Sequence, residues 1–300
     1  MNGTQQPLPT AINFHFWKPC NLRCTFCFAT FDDDPLLKRV RGGLDADSCR
    51  AVLDALKMAG VQKINLVGGE PTLCPYLPDL LTHSRKLGCV TSIVTNGAHL
   101  ARVLAAAPQC VDWVGLSVDS ADEQTQAALG RGDGDHVKRS LALFDLLHRS
   151  HIRVKLNTVV TSLNWQEDMS SFVLQARPER WKIFQVLPVD EQNSGKVEPL
   201  LVSTDKFQAF VTRHLDISQR GVKVVAETNE DMTESYAMID PLGRFFSNAG
   251  GRHSYSQPIL EVGVREAFRQ ISFDINRFES RGGLYEWGNP SVPLTISARS

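Results

Sequence analysis

Three cysteines, Cys20, Cys24 and Cys27, stand within eight residues, in a loop expected directly after a first β-strand. Spacing of three and then two intervening residues can wrap three thiolates around one corner of an iron–sulfur cubane. Such clusters usually take four cysteine ligands, so this run leaves one iron open to another ligand. Zinc instead takes four ligands, usually in paired Cys-x-x-Cys spacing, and no nearby histidine or cysteine pair completes that set. Packing thiols are the third reading, and three cysteines crowded at a strand end make it the weakest. Cys49, Cys74, Cys89 and Cys110 are singly spaced in or beside expected helices and strands, and read as core thiols. An odd total of seven cysteines, with no secretion signal, argues against a disulfide scaffold.

Other groups recur at strand ends. Gly68-Gly69-Glu70-Pro71 closes the second expected strand, where glycines let backbone approach a ligand closely. Thr95-Asn96-Gly97 and Ser117-Val118-Asp119-Ser120 close the third and fourth, offering small polar groups to a ribose or ordinary turn and cap chemistry. Arg131, between two glycines, either reaches a carboxylate or stands in solvent. Lys63, Lys155, Arg180 and Lys182 fall on or beside expected strands, where a charge is rarely buried unless paired. Facing inward they demand an anion; facing outward they meet solvent or salt bridges.

Six apolar runs rich in β-formers carry these groups: 11–17, 63–67, 90–95, 113–118, 153–160 and 181–187. Helices are expected between and after them at 45–59, 76–87, 99–107, 136–149, 166–175 and 204–220. Strand–helix alternation means a parallel α/β sheet. Six units are too few for an eight-stranded barrel, so the expected fold is an open partial (β/α)6 barrel with functional groups at the C-terminal strand ends. Residues 1–10 read as a flexible lead, 11–190 as the barrel and 191–300 as a C-terminal extension of the same domain. That extension carries a short strand at 222–226 and is expected to close the active site across the barrel mouth. Asp32-Asp33-Asp34 reads as a solvated acidic run. A net charge of -1 favours neither nucleic acid nor an anionic membrane, and no apolar run approaches the roughly 20 residues of a bilayer span. A cytoplasmic protein is expected.

The Cys-x3-Cys-x2-Cys loop, with Phe26 before its last cysteine, resembles the defining motif of radical S-adenosylmethionine enzymes. The resemblance implies a [4Fe-4S] cluster on Cys20, Cys24 and Cys27, with S-adenosylmethionine on the open iron and cleaved to a 5′-deoxyadenosyl radical. It puts Phe26, Gly68, Gly69, Glu70, Asn96, Ser117, Asp119, Ser120 and Arg131 at the cofactor, Glu70 against the methionine amino group. Asn13-Phe14-His15-Phe16, Lys63-Ile64-Asn65, Lys155-Leu156-Asn157, Glu167-Asp168-Met169, the 180–185 segment and Arg281-Gly282-Gly283 further resemble viperins. Viperins convert a ribonucleoside triphosphate to its 3′-deoxy-3′,4′-didehydro analogue, a chain-terminating antiviral nucleotide.

On that resemblance the substrate is CTP, UTP or GTP, and the reductant a one-electron donor such as flavodoxin or ferredoxin. Asn13 would meet the base, and His15 and Asn157 would also contact substrate. Lys63, Lys155, Arg180 and Lys182 would cradle the triphosphate, and Arg281, Gly282 and Gly283 would clamp its γ-phosphate with a guanidinium and backbone amides. Tyr236 would deliver a proton or hydrogen near the ribose. The sequence departs from viperins at Val67, where a serine is expected, in lacking the amphipathic membrane helix of the animal proteins, and at Ala298-Arg299-Ser300, where those end in tryptophan. A radical enzyme acting on a peptide or cofactor precursor is the first alternative, but such enzymes often carry an auxiliary cluster and no cysteine follows Cys110. A non-enzymatic iron–sulfur protein is the second, and it would need no Gly-Gly-Glu-Pro segment.

Cys24→Ala should abolish iron binding and all cleavage of S-adenosylmethionine, whereas Cys110→Ala should leave iron content unchanged. Iron analysis of the two anaerobically reconstituted variants checks both.

Overall fold

A computed structural model describes residues 7–288, and the 298–300 departure lies outside them. Seven strands, β1 (Ala11–Trp17), β2 (Lys63–Gly68), β3 (Val90–Thr95), β4 (Trp113–Ser117), β5 (Arg153–Val160), β6 (Arg180–Gln185) and β7 (Lys223–Glu227), lie side by side in chain order and in parallel. Helices α1 (Pro35–Arg39), α2 (Ala46–Met58), α3 (Leu77–Lys86), α4 (Leu100–Ala106), α5 (Glu123–Ala128), α6 (His136–Arg149), α7 (Ser170–Ala176) and α8 (Thr204–Arg213) occupy the connections. Alternation sorts each strand into two faces. Ile12, Phe14, Phe16, Ile64, Leu66, Trp181 and Ile183 enter the apolar core against the helices. Asn13, His15, Lys63, Asn65, Lys155, Asn157, Arg180 and Lys182 line a cavity on the opposite face.

Local chemistry explains several element ends. Asp45 caps α2 by accepting from Ser48 N at 2.7 Å, and Gly60, at φ 103°, gives its left-handed stop. The helix expected at 166–175 starts later, at Ser170, whose N–H donates to Asp168 Oδ1 at 2.9 Å, while Asn164 ties Thr161 N into a turn at 2.6 Å. The helix expected at 204–220 ends at Arg213 and continues as a 3-10 turn over Leu215–Arg220. Helix α5 was not expected; Asp122 caps it at Thr125 N.

The sheet is larger than six units. The strand β8 (Met238–Ile239) pairs in parallel with β1, and β9 (Arg244–Ser247) and β10 (Ser254–Pro258) continue antiparallel to give ten strands. At two to five residues these strands are too short for a period to stand out of the sequence.

The last described residues lie at the end of the sheet opposite the cysteine loop. Residues 278–287 run along the N-terminal ends of the strands: Trp113 Nε1 donates to Trp287 O at 3.0 Å, Arg153 Nη1 to Glu286 O at 3.4 Å, and Lys63 Nζ to the Tyr285 hydroxyl. The tail closes the floor of the barrel. At the mouth, the connection after β6 meets the cysteine loop: Phe31 N donates to Gln192 Oε1 at 2.7 Å and Asn193 Nδ2 to Phe26 O at 3.0 Å. Of the acidic run, Asp32 is exposed as expected, while Asp33 and Asp34 are drawn into contacts. Asp32 pairs with Lys18 at 2.9 Å, Asp33 accepts from the Tyr255 hydroxyl at 2.9 Å, and Asp34 caps α1 and pairs with Arg244 at 3.0 Å.

Arg85 on α3 and Asp112 before β4 form a buried ion pair at 2.9 Å, and Asp112 also accepts from Thr91 N at 2.7 Å. Removing one member of a buried pair typically costs about 3–5 kcal/mol. Asp112→Ala should therefore shift the urea midpoint by a corresponding amount, with the slope of the transition unchanged.

Candidate functional site

The cavity enclosed by the sheet measures about 960 Å3 and has two chemically distinct ends. The mouth end is built on the cysteine loop, which is pinned by backbone bonds from Arg23 N to Gly130 O and Thr25 N to Leu129 O, both at 3.2 Å. A Cβ at Gly130 would stand 2.3 Å from Arg23 O, and one at Gly69 2.2 Å from Lys18 O. The glycines thus admit the cysteine loop itself against the strand ends. Cys20, Cys24 and Cys27 are free thiols lining this end. Burial pushes Cys24 up to about 12 and raises the other two, against the lowering field of the Arg131 guanidinium.

A metal's charge would keep such buried thiols ionised. Among the described residues no three such side chains converge as a single-ion site requires. Three thiols in one loop, with no fourth on the same wall, fit the cubane corner with one open iron.

Glu70 is almost wholly buried and spent on the protein: it accepts from Thr72 N at 3.0 Å, Thr95 Oγ1 at 2.6 Å and Asn96 N at 2.7 Å. It fixes the ends of β2 and β3. Asn96 donates to Asn21 Oδ1 at 2.9 Å, tying β3 to the cysteine loop. Asp119 accepts from Val159 N at 2.8 Å and pairs with Arg131, whose guanidinium lies 5.6 Å from the Phe26 ring centre. Gly68, Ser117 and Asp119 line the cavity as well. Ser120 does not; its hydroxyl accepts from Asp122 N at 2.9 Å, so here the turn chemistry prevails.

The floor end is cationic. Lys63, Lys155 and Arg180 are 1%, 8% and 8% exposed, with no carboxylate within 4 Å among the described residues. Aromatic rings stand in place of counterions. Tyr285 lies 4.5 Å from Lys63 Nζ, 4.9 Å from Lys155 Nζ and 4.1 Å from Arg180 Cζ, and Trp113 lies 5.1 Å from both lysines. Burial brings Lys63 down to about 7, and burial with neighbouring cations drives Lys155 well below the usual lysine range.

Lys182 differs, because the fully buried Glu227 lies 2.5 Å from its ammonium. Burial lowers it to about 8, with Glu227 opposing the fall. Lys182 also donates to the Tyr236 hydroxyl at 2.7 Å, and that hydroxyl donates to Glu227. Arg281 stacks 3.6 Å from the Tyr236 ring centre and donates to Ser235 O at 2.6 Å.

The expected amide clamp is absent. Gly282 N and Gly283 N donate to Glu279 O and Phe278 O, finishing the helix over Ile275–Ser280, and a Cβ at Gly283 would strike Phe278. The two glycines line the cavity without free amides. Asn13 and Asn65 face each other on β1 and β2, Asn65 Nδ2 donating to Asn13 Oδ1 at 2.8 Å, with Asn65 Oδ1 buried and unpartnered. Asn157 lines the same wall. His15 packs edge-on to Phe31 and Phe246 at 5.6 and 5.4 Å, and burial holds it near 3, a neutral ring. Sequence reasoning missed Glu227, Tyr285, Trp113 and Asn65 as members of the site. Only Asn65, inside a quoted motif, carried a signal.

A three-thiol loop at the mouth of a parallel sheet defines a radical enzyme of the S-adenosylmethionine class, and the radical SAM superfamily model matches residues 16–172. The chain is 42% identical over 281 residues to an S-adenosylmethionine-dependent nucleotide dehydratase of Flammeovirga pacifica, covering 92% of this chain and 96% of that one. It is 36% identical over 280 residues to one from a Thermoplasmatales archaeon, with the same coverage. The chain belongs to the S-adenosylmethionine-dependent nucleotide dehydratase family. Streptococcus suis SuiB bound to S-adenosylmethionine shares its fold, with a TM-score of 0.64 at 18% identity over 92% of this chain and 67% of SuiB.

Each floor lysine has a folded-state pKa below its unfolded value, so the unfolded chain holds more protons and stability rises with pH above about 7. The ligand-free protein should gain stability from about pH 7 to about 8.5, by at most about 1.4 kcal/mol per unit for each neutral lysine. Inorganic tripolyphosphate, by holding the ammoniums charged, should raise the melting temperature most at pH 7 and flatten the rise. Thermal melts with and without it provide the check.

Proposed function

We propose that this enzyme dehydrates a ribonucleoside triphosphate, CTP, UTP or GTP, to its 3′-deoxy-3′,4′-didehydro analogue. The observation that carries this reading is the floor of the cavity: Lys63, Lys155, Arg180, Lys182 and Arg281 with, among the described residues, Glu227 as the one carboxylate within 4 Å of them. Buried cations in such excess call for a polyanion of about four charges. A bound [4Fe-4S] cluster with S-adenosylmethionine supplies, on receiving an electron, a 5′-deoxyadenosyl radical able to take the C4′ hydrogen.

The chain's own residues do the rest. The floor cations draw the triphosphate down and leave the ribose between the two ends. Asn13 and Asn65 offer an amide donor and an unpartnered carbonyl oxygen to hydroxyl or base edges. His15 presents an uncharged ring that adds nothing to the anion site. Departure of the C3′ hydroxyl as water needs a proton. Lys182, lowered toward neutrality and oriented by its bond to the Tyr236 hydroxyl, can place one there.

A one-electron donor such as flavodoxin or ferredoxin would supply the electrons, and the seven free thiols suit a reducing cytoplasm. No helix among the described residues is long and apolar enough to cross a membrane.

Removing Lys182 tests the reading. A charge-assisted hydrogen bond contributes about 1.5–3 kcal/mol, so Lys182→Ala should raise the triphosphate dissociation constant about 10- to 100-fold with iron content unchanged. Nucleotide product should fall further than 5′-deoxyadenosine does, because the C4′ hydrogen is no longer held in line. Unaltered affinity and product yield for every triphosphate would overturn it.

A further inference from the structure

Glu227 ends β7, register-paired with Phe184 on β6, and is completely buried behind the cavity wall. Its carboxylate lies 2.5 Å from Lys182 Nζ and 3.6 Å from Arg281 Nη1, and accepts from the Tyr236 hydroxyl. Among the described residues it is the one carboxylate within 4 Å of any of the five floor cations. A carboxylate there lessens the positive charge offered to a triphosphate, so anion binding does not account for it. The direction of its hydrogen bonds does. Lys182 N–H points to the phenol oxygen and the phenol O–H points to Glu227, which commits the phenolic proton away from the cavity and leaves the ammonium as the charged donor.

We propose that Glu227 is a positioning residue for the dehydration, keeping Lys182 protonated and fixing the direction of the Tyr236 hydroxyl. The inference rests on the nucleotide dehydration proposed above. Groups facing Lys182 are Glu227 from β7, Tyr236 before β8, Arg281 after the last helix, and Arg180 and Lys155 from β6 and β5. Arg281 and Arg180 are cationic and disfavour the Lys182 ammonium, as does Lys155 whenever it holds its proton. Without Glu227, Lys182 loses its proton at a lower pH, and the phenol becomes free to turn its O–H toward the substrate.

Glu227→Gln keeps the shape and removes the charge. The reconstituted holoenzyme is assayed from about pH 6 to about pH 9 for 5′-deoxyadenosine and nucleotide product, and tripolyphosphate binding to the same protein is followed by calorimetry. The expected result is retained iron and 5′-deoxyadenosine, a product-to-5′-deoxyadenosine ratio about tenfold lower at pH 8, and an alkaline limb moved about one unit acidward. Tripolyphosphate affinity should begin its decline at lower pH by the same shift, and Glu227→Asp should restore part of both. A wild-type ratio and unmoved profiles in Glu227→Gln would overturn the proposal. So would parallel loss of iron, 5′-deoxyadenosine and product in both variants, the mark of a merely structural role. If the unaltered enzyme makes no nucleotide product from any triphosphate, the dehydration reading fails, and the tripolyphosphate profile still decides whether Glu227 sets the Lys182 charge.

Discussion

Buried positive charge without counterions is the constraint around which this molecule is arranged. Moving an ammonium out of water costs several kcal/mol even after relaxation, and Lys63, Lys155 and Arg180 are nearly inaccessible with no carboxylate beside them among the described residues. The fold moderates that cost with the negative faces of Tyr285 and Trp113 and by letting the lysines approach neutrality. Both are partial remedies that an arriving polyanion would complete. Two lysines serving as structural ion pairs would instead have carboxylates on the adjacent strands.

Strand geometry places this charge relative to the thiols. A parallel strand advances about 3.3 Å per residue, so Lys63 at the start of β2 and Gly68 at its end are separated by about 16 Å along one strand. One regular element therefore spans from the floor to the cysteine loop. Residues 278–287 cross the floor, where Tyr285 and the Trp287 carbonyl meet Lys63 and Trp113. Residues 278–287 and the cysteine loop thus stand at opposite ends of one cavity.

Glycines mark the places where chain must touch chain. Gly69 admits Lys18 and Pro19 to the end of β2, Gly130 admits the cysteine loop to the turn after α5, and Gly283 admits Phe278. Motifs that read as backbone offered to a ligand are thus, in part, backbone offered to the protein. The Gly282 and Gly283 amides close a helix, and Glu70 ties two strand ends while lining the mouth end of the cavity.

The sequence by itself determined what depends on neighbours along the chain. The thiol loop, the alternation of Lys63, Asn65, Lys155, Asn157, Arg180 and Lys182 on strands, the order of the βα units and the cap at Asp45 all follow from spacing and residue type. Tertiary structure alone decided what depends on partners far away in sequence. Glu227 became the counterion of Lys182 because β7 pairs with β6, Tyr285 became the ring above three cations because the tail crosses the floor, and Asp33 and Asp34 found Tyr255 and Arg244 because β9 and β10 fold back beside β8. None of these contacts has a local pattern, since a carboxylate or an aromatic ring is read the same way in solvent as in a site. Only burial and a partner give it a role.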